Sequence, residues 1–178
     1  PSNNTQFIDK KINLGLDLQG GSYLLLEVDT KPLIQEKIQN KVLLLKQFMR
    51  ENNYDYTNFK IFKDSIQFSL KSDDTKKFEN SFFLKSNNTI NPYIDQYRAF
   101  ELDLKKNENQ FKVYFSKYGL LTLNNSAVKQ SIEIVRRRID DLGTKEPSIV
   151  QRGEKRIVVE LPGLKDPSRI KSLLGKTA

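Results

Sequence analysis

Three groups of residues are the most able to do chemistry. They are the glycine pair Gly20-Gly21, the arginine run Arg136–Arg138, and the aspartates Asp17, Asp29, Asp140 and Asp141. The chain has no histidine and no cysteine, which excludes a Ser-His-Asp triad, a thiol nucleophile, a disulfide framework and the usual zinc site. Since no spaced carboxylate set accompanies the aspartates, we interpret them as turn, cap and surface residues. The sequence therefore predicts no metal site, no cofactor and no enzyme.

The glycine pair does not fit a phosphate-binding loop, which needs backbone amides at the start of a helix after a strand. Here the strand-like run SYLLLEV follows the pair, and neither Gly-Lys-Ser/Thr nor Gly-x-Gly-x-x-Gly is present. Apolar residues alternate from Leu14 to Val28, far beyond the usual strand length of about 5–6 residues. We expect a break at the glycines, with Leu14–Leu18 and Ser22–Val28 as separate extended pieces.

The arginine run lies in a helical pattern, where successive side chains point about 100° apart. We therefore favour arginines that flank a buried stripe, with their stems along the core edge and their charges in water, over a phosphate site. Glu133 lies four residues before Arg137, a spacing that predicts an ion pair within the helix.

The net charge of +8 raises the alternative of an RNA-binding module. The charge is −2 in residues 1–30, +5 in 31–118 and +5 in 119–178, which sums to +8, with acidic residues interleaved throughout. Aromatic residues alternate with lysines in 54–115, but the RNP signature is absent. We favour core-facing aromatic residues, and we keep an apolar groove for extended peptide as the functional alternative.

The final part of the chain shows helix and strand periods in turn. Apolar residues at alternating steps of four and three predict a helix over 126–142, capped by Asn125 or Ser126 and closed by Gly143. The elements predicted after it are strand Ser148–Arg152, a turn at Gly153-Glu154, strand Arg156–Leu161 and a helix from Asp166 to Gly175.

The middle of the chain has no glycine between residues 22 and 118, which indicates a region under different constraints from the two ends. Its predicted elements are helix Leu33–Asn52, a hairpin over 58–71 with its turn at Asp64, a helix from Asp73 or Asp74 to Lys85, a loop over 86–98 and a hairpin over 99–115.

Together these elements predict an α+β chain of two parts. Residues 1–30 plus 119–178 form a ferredoxin-like (split βαβ) base that lacks its last strand, and residues 31–118 form an inserted small α+β head. The crossovers near Thr30–Lys31 and Tyr118–Leu121 are the expected hinge. Because the last strand is missing, the opening strand is expected to have an unpaired edge that is able to pair with another copy.

Two separated stretches, with a third at the C-terminus, resemble SecD, the protein-export membrane protein family. They are LGLDLQGG at residues 14–21, IVRRRIDDLGTKEPSIVQRGEKRIVVELPGLKDPSR at residues 134–169 and LLGKTA at residues 173–178. The middle is similar to the family only in size and pattern, and Lys145 departs from the small apolar residue that is common there.

The resemblance implies the first large extracytoplasmic domain of an inner-membrane protein, facing the periplasm after a first transmembrane helix. We accordingly expect the chain, which begins at Pro1 and has no run of 18 apolar residues, to be part of a longer protein. The implied partners are SecF, the SecYEG channel with its accessory small membrane subunit, and unfolded preprotein, with no nucleic acid. SecD belongs to the RND superfamily and uses the proton-motive force late in export, through residues in membrane helices that this sequence lacks.

The resemblance also carries over residue by residue as a structural or hinge motif. The positions are Gly15, Asp17, Gln19, Gly20, Gly21, Arg136, Arg138, Gly143, Glu146, Pro147, Gln151, Gly153, Arg156, Pro162 and Gly163. Contact with the exported chain is expected in the head, at the tyrosines Tyr93, Tyr97, Tyr114 and Tyr118.

Overall fold

The computed structural model describes residues 13–16, 22–86, 89–141, 146–163 and 174 of the chain. Its strands are β1 (Asn13–Leu16), β2 (Ser22–Glu27), β3 (Tyr56–Ile61), β4 (Ser65–Leu70), β5 (Tyr93–Ile94), β6 (Ala99–Phe100), β7 (Leu102–Asn107), β8 (Gln110–Phe115), β9 (Ser148–Arg152) and β10 (Arg156–Leu161). Its helices are α1 (Lys31–Glu51), α2 (Thr75–Phe82) and α3 (Lys117–Asp140), with 3₁₀ turns at Ser72–Asp74 and Asp95–Tyr97. The chain is therefore mixed α+β, as predicted.

The chain divides into two compact units. One comprises Pro1–Thr30 with Leu123–Ala178, and the other comprises Lys31–Thr122. We call them the terminal unit and the middle unit. Whether they act as a base and a head stays a prediction.

The sheet of the terminal unit has the order β1-β2-β10-β9, and every neighbouring pair is antiparallel. The hairpin of β9 and β10 has the predicted bounds, with Gly153 at φ 68° in its turn. A left-handed backbone of this kind favours glycine, which explains the position of the turn. Leu24 lies opposite Val159, and both are fully buried in the core of the unit.

The opening segment forms two strands rather than one. Strands β1 and β2 pair antiparallel, from Asn13 opposite Leu25 to Leu16 opposite Ser22. This confirms the prediction of separate extended pieces, while Gly20-Gly21 themselves lie outside the described residues. The prediction that one edge of β2 is unpaired is wrong. Strand β1 pairs with that edge, and β10 pairs with the other edge.

Helix α3 begins nine residues before the predicted start, at Lys117 instead of 126. Asn125 and Ser126 lie within it, so neither caps it. The N-terminal cap is Ser116, whose Oγ accepts a hydrogen bond from the Gly119 amide at 2.9 Å. The expected crossover at Tyr118–Leu121 is therefore helical backbone and not a loop.

The middle unit has a four-stranded antiparallel sheet of order β3-β4-β8-β7. Helices α1 and α2 cover one of its faces, and an aromatic core forms there. Phe78 of α2 lies with its ring centroid 5.4 Å from Phe68, 5.2 Å from Phe111 and 5.9 Å from Phe48. Edge-to-face contacts of this kind add stability beyond area burial. The aromatic residues of β4 and β8 thus face a core, as predicted.

Several predicted details of the middle unit differ from the structure. Helix α2 ends at Phe82, short of Lys85, and α1 begins at Lys31. The segment 86–98 was expected to be a loop, yet Tyr93–Ile94 pairs with Ala99–Phe100 as β5 and β6. Phe100 accordingly lies outside the second hairpin, which starts at Leu102.

Two apolar residues of β3 are less buried than the core-facing residues of β4 and β8. Ile61 is 43 % exposed, and Phe59 is only half-buried. The register shifts between Thr57 and Lys60, where Asn58 takes φ 53°, and this bulge turns the edge strand β3 partly away from the core.

Candidate functional site

Two of the four predicted contact tyrosines form a pair in the middle unit. The rings of Tyr97 and Tyr118 stack at a centroid distance of 5.0 Å and an interplanar angle of 17°. Tyr118 is 37 % exposed, and Lys117 Nζ lies 5.9 Å from its ring centroid. The pair therefore offers a partly solvated aromatic surface beside a positive charge.

Two local structures position this pair. Tyr97 ends the 3₁₀ turn Asp95–Tyr97, which Arg98 closes in the left-handed region at φ 51°. Tyr118 is the second residue of α3, two positions after the cap residue Ser116. The amide of Ser116 donates to the Glu101 carbonyl at 3.0 Å, and its Oγ donates to the Phe100 carbonyl at 2.7 Å. These bonds fix the start of the helix, and with it Tyr118, against the segment between β6 and β7.

Gly119 allows this close approach, a role that was not predicted from the sequence. A Cβ at Gly119 would lie 2.1 Å from the Glu101 carbonyl oxygen, which is far inside contact distance. The local signal was available in the pattern Ser116-x-x-Gly119, since serine three residues before a helical amide is a typical cap.

The other two tyrosines lie elsewhere in the middle unit. Tyr93 meets Phe100 edge-on at 5.0 Å, and Lys85 Nζ lies 3.8 Å from its ring centroid. Tyr114 lies on β8, opposite Ser65 of β4 and Asp103 of β7, on the face away from the aromatic core. Both are half-buried, and within the described part of the chain neither makes a ring contact with the Tyr97–Tyr118 pair.

The motif residues of helix α3 hold its final turns. Arg138 Nη1 donates to the Leu174 carbonyl at 2.9 Å, and Leu174 is buried. Arg136 pairs with Glu133 at 3.2 Å, so the ion pair predicted for Arg137 forms one residue earlier. Arg136 and Arg137 are exposed, which agrees with solvated flanks and not with a phosphate site.

The motif residues of β9, β10 and their flanks occupy special backbone positions. Glu146 takes φ 51° before Pro147, and Gly163 takes φ 76° after Pro162. Gln151 Nε2 donates to the Gly153 carbonyl at 2.9 Å, across the hairpin turn. The remaining hairpin residue, Arg156, lies directly opposite Glu27 of β2 and Arg152 of β9. Their contacts are those of turns and strand ends, which supports an architectural role.

Part of the motif carried over from the resemblance is not described by the structure. Gly15 lies in β1 by its backbone. The positions outside the described residues are Asp17, Gln19, Gly20, Gly21 and Gly143.

Comparison with known families finds two matches, one toward each end of the chain. Residues 128–178 match the protein translocase subunit SecDF, P1 domain, N-terminal, and residues 7–32 match the SecD/SecF GG motif. Protein translocase subunit SecD of Rickettsia felis is 38 % identical over 176 residues, which is 98 % of this chain and 32 % of that protein. The chain belongs to the SecD family. The resemblance inferred from the sequence is therefore confirmed.

More distant SecD proteins match over the same extent. SecD of Acetobacter pasteurianus is 36 % identical over 95 % of the chain, and SecD of Magnetococcus marinus is 33 % identical over 96 %. The chain spans about a third of the length of these relatives, at 31–32 %. No solved structure matches.

The SecD match also bears on the class of the protein. SecD proteins are protein translocase subunits, which agrees with the expectation, drawn from the residue types, that the chain is not an enzyme. Among the described residues, no helix is both long and apolar enough to cross a membrane.

Proposed function

We propose that this chain is the first extracytoplasmic domain of a SecD-like translocase subunit, facing the periplasm, and that it contacts unfolded polypeptide during export. The observation that carries the contact is the stacked pair Tyr97–Tyr118, whose rings lie 5.0 Å apart with Tyr118 37 % exposed. Exposed tyrosine rings bind many sequences, because they offer a large, rigid apolar face at low conformational entropy cost. The family match supports export as the setting.

We further propose that the terminal unit is a ferredoxin-like base and that the middle unit is its head. Support comes from the chain order β2, α3, β9, β10 and from the sheet order β2-β10-β9. In a split βαβ unit the third strand inserts between the first two, as β10 lies between β2 and β9 here. Strand β1 fills the sheet position beside β2, where the predicted base lacked a strand.

The partners proposed for this domain remain those implied by the family. They are SecF, the SecYEG channel with its accessory small membrane subunit, and the exported chain. Proton-motive-force coupling belongs to the complete protein in this proposal. The RNA-binding alternative loses its main support, since Phe68 and Phe111 are 2 % exposed and turn their rings to the core.

Cross-linking tests the polypeptide contact directly, because the chain has no native cysteine. We would introduce Gln96→Cys or Lys117→Cys, both exposed beside the tyrosine pair, and attach a benzophenone maleimide. The control is Glu154→Cys, an exposed turn residue of the terminal unit. Irradiation with reduced, carboxymethylated α-lactalbumin is expected to give adducts near the tyrosine pair and few at the control.

Tyr118→Ala added to Lys117→Cys should lower the adduct yield about fivefold, the usual scale for loss of an aromatic anchor. Equal yields at all three positions, or an unchanged yield after Tyr118→Ala, would remove the tyrosine pair from the proposal.

A further inference from the structure

The second face of the middle-unit sheet carries a row of lysines contributed by three strands. Lys60 of β3 lies opposite Gln67 of β4, Gln67 lies opposite Lys112 of β8, and Lys112 lies opposite Lys105 of β7. Side chains alternate along a strand, so this row points away from the face that carries Phe68 and Phe111. Three positive charges thus share one line across four strands.

The row crosses a shallow cavity of about 370 Å³. Residues of all four strands, β3, β4, β8 and β7, line it. Amide side chains, Asn58 among them, line it beside the lysines, and Gln110 and Asn107 lie opposite each other next to the row. We call this cavity the basic groove.

The lysines of the basic groove form no ion pair within the described part of the chain. The ion pairs of the middle unit are Lys41–Glu101, Lys71–Asp55 and Lys106–Glu79, and none involves Lys60, Lys105 or Lys112. The carboxylate nearest in register is Asp103, two residues before Lys105, and it does not line the cavity. Like charges placed directly opposite, as Lys105 and Lys112 are, destabilise a sheet. A bound anion would relieve that repulsion.

The geometry points to an acidic, extended segment of polypeptide as the occupant of the basic groove. Adjacent strands are about 4.8 Å apart, so the row from Lys60 to Lys105 spans roughly 14 Å, the length of about four residues of extended chain. Carboxylates on alternate residues of such a chain lie roughly 7 Å apart and fit within the row. The amide side chains can both donate to and accept from its backbone.

Other polyanions fit the basic groove less well. Single-stranded nucleic acid needs rings on which bases stack, and the aromatic residues that line the groove, Phe68 and Phe111, are buried with their rings in the core. This inference rests on the proposed contact with unfolded polypeptide. Within such a polypeptide, the basic groove selects acidic, extended segments.

Fluorescence anisotropy with short labelled peptides tests the inference. The probe is a twelve-residue unstructured peptide with glutamate at alternate positions, and the matched probes carry glutamine or lysine there. In low-salt buffer the glutamate peptide is expected to bind at least about tenfold more tightly than the glutamine peptide, with the preference falling as salt screens the charges. Equal binding of the two peptides would overturn the inference.

Variants of the chain locate the binding. Lys105→Gln with Lys112→Gln should weaken binding of the glutamate peptide about fivefold or more, as expected for the loss of two charge contacts. The matched control is Lys76→Gln with Lys77→Gln, two exposed lysines of α2 that change the net charge equally. Because the groove pair removes a repulsion, its unfolding temperature should equal or exceed that of the parent. A control pair that weakens binding as much as the groove pair would show a general charge effect and overturn the assignment.

Competition experiments against the glutamate peptide distinguish the other candidate occupants of the basic groove. A single-stranded oligonucleotide or phosphatidylglycerol vesicles that bind through Lys105 and Lys112 more tightly than the glutamate peptide would replace polypeptide as the occupant. If the peptides fail while adducts still form near Tyr118, the basic-groove inference falls and the proposed function stands.

Discussion

Gly119 is the residue on which the start of α3 depends most directly. Because Gly119 has no Cβ, there is room for the Glu101 carbonyl. A Cβ at this position would lie 2.1 Å from the Glu101 carbonyl oxygen. The oxygen belongs to the backbone, so it cannot swing aside as a side chain would. Gly119 is buried, and the same turn holds Tyr118 in place.

We predict that Gly119→Ala destabilises the chain by about 2 kcal/mol, because either the helix start or the Glu101 backbone must shift to admit a methyl group. Urea unfolding measures the change. Ser126→Ala, at an exposed position of the same helix, is the control and should change stability by less than about 0.5 kcal/mol. Equal stability of Gly119→Ala and the parent would contradict the close approach.

The ion pair of Asp55 with Lys71 gives the middle unit a pH-dependent contribution to stability. Lys71 Nζ donates to Asp55 Oδ2 at 2.5 Å. This hydrogen bond, with the charge of Lys71, lowers the pKa of Asp55 below 3.8, and the same contact raises the pKa of Lys71 above 10.5. The lowered pKa of Asp55 contributes stability above pH 3.8 that is lost as pH falls through its folded value. The raised pKa of Lys71 contributes stability below pH 10.5, and this contribution is lost as pH rises through the pKa of Lys71 in the folded chain.

Lys71→Gln should therefore be slightly less stable than the parent at pH 7. The difference is expected to be small, since both side chains are exposed to water, and to shrink as pH falls through the pKa of Asp55. Urea midpoints at pH 7, 5 and 3 measure it, with the exposed Lys76→Gln as the control. A difference that persists unchanged at pH 3 would assign the effect of Lys71 to something other than this pair.

Strand β1 protects the sheet of the terminal unit by covering the edge of β2. An uncovered edge of alternating apolar residues such as Leu24 and Leu26 is a template for pairing with another chain. The self-pairing edge expected from the sequence is thus present, but the protein's own first strand occupies it.

Deletion of residues 1–16 should expose the edge of β2 and increase self-association. Deletion of residues 1–12, which leaves β1 intact, is the matched control. Sedimentation velocity over a range of protein concentrations measures the effect. If both truncated chains sediment alike at every concentration, β1 does not guard this edge.

The hairpin β9–β10 could be predicted from the sequence because its signals are local: two short runs that contain β-branched residues and a glycine turn at Gly153 between them. The start of α3 could not, because its decisive contacts join Ser116 and Gly119 to Glu101, and because Gly119 and Asn124 are poor helix formers. Local propensity favoured a later start, and these contacts overrode it.

The basic groove illustrates a second limit of sequence reasoning. Lys60, Lys105 and Lys112 are distant along the chain, and no pattern of charges places them in one row. The strand order and the register shift in β3 create the row. The tyrosines show the same limit, since four similar residues were predicted and the fold stacks only Tyr97 on Tyr118.

The two compact units each contain a buried core, and this bears on whether the middle unit is an independent insertion. In the middle unit the core includes Phe68, Phe78, Phe82 and Phe111, all at most 2 % exposed. A half-buried ion pair, Lys41 with Glu101, lies within the same unit, and Lys41 also donates to the Ile90 carbonyl at 2.9 Å. A unit with its own core and its own polar contacts is expected to fold alone.

We therefore predict that residues 31–122, produced alone, unfold in one cooperative transition with a free energy of roughly 5 kcal/mol, the usual scale for a domain of this size. Near-ultraviolet circular dichroism of its tyrosines follows fixed side-chain order, and urea unfolding gives the free energy. Residues 31–115 form the matched control, since they lack Ser116 and the start of α3, which holds Tyr118 against Tyr97. The shorter fragment should be less stable and lose part of the tyrosine signal. A fragment 31–122 without a cooperative transition would mean that the core of the middle unit forms only within the complete chain.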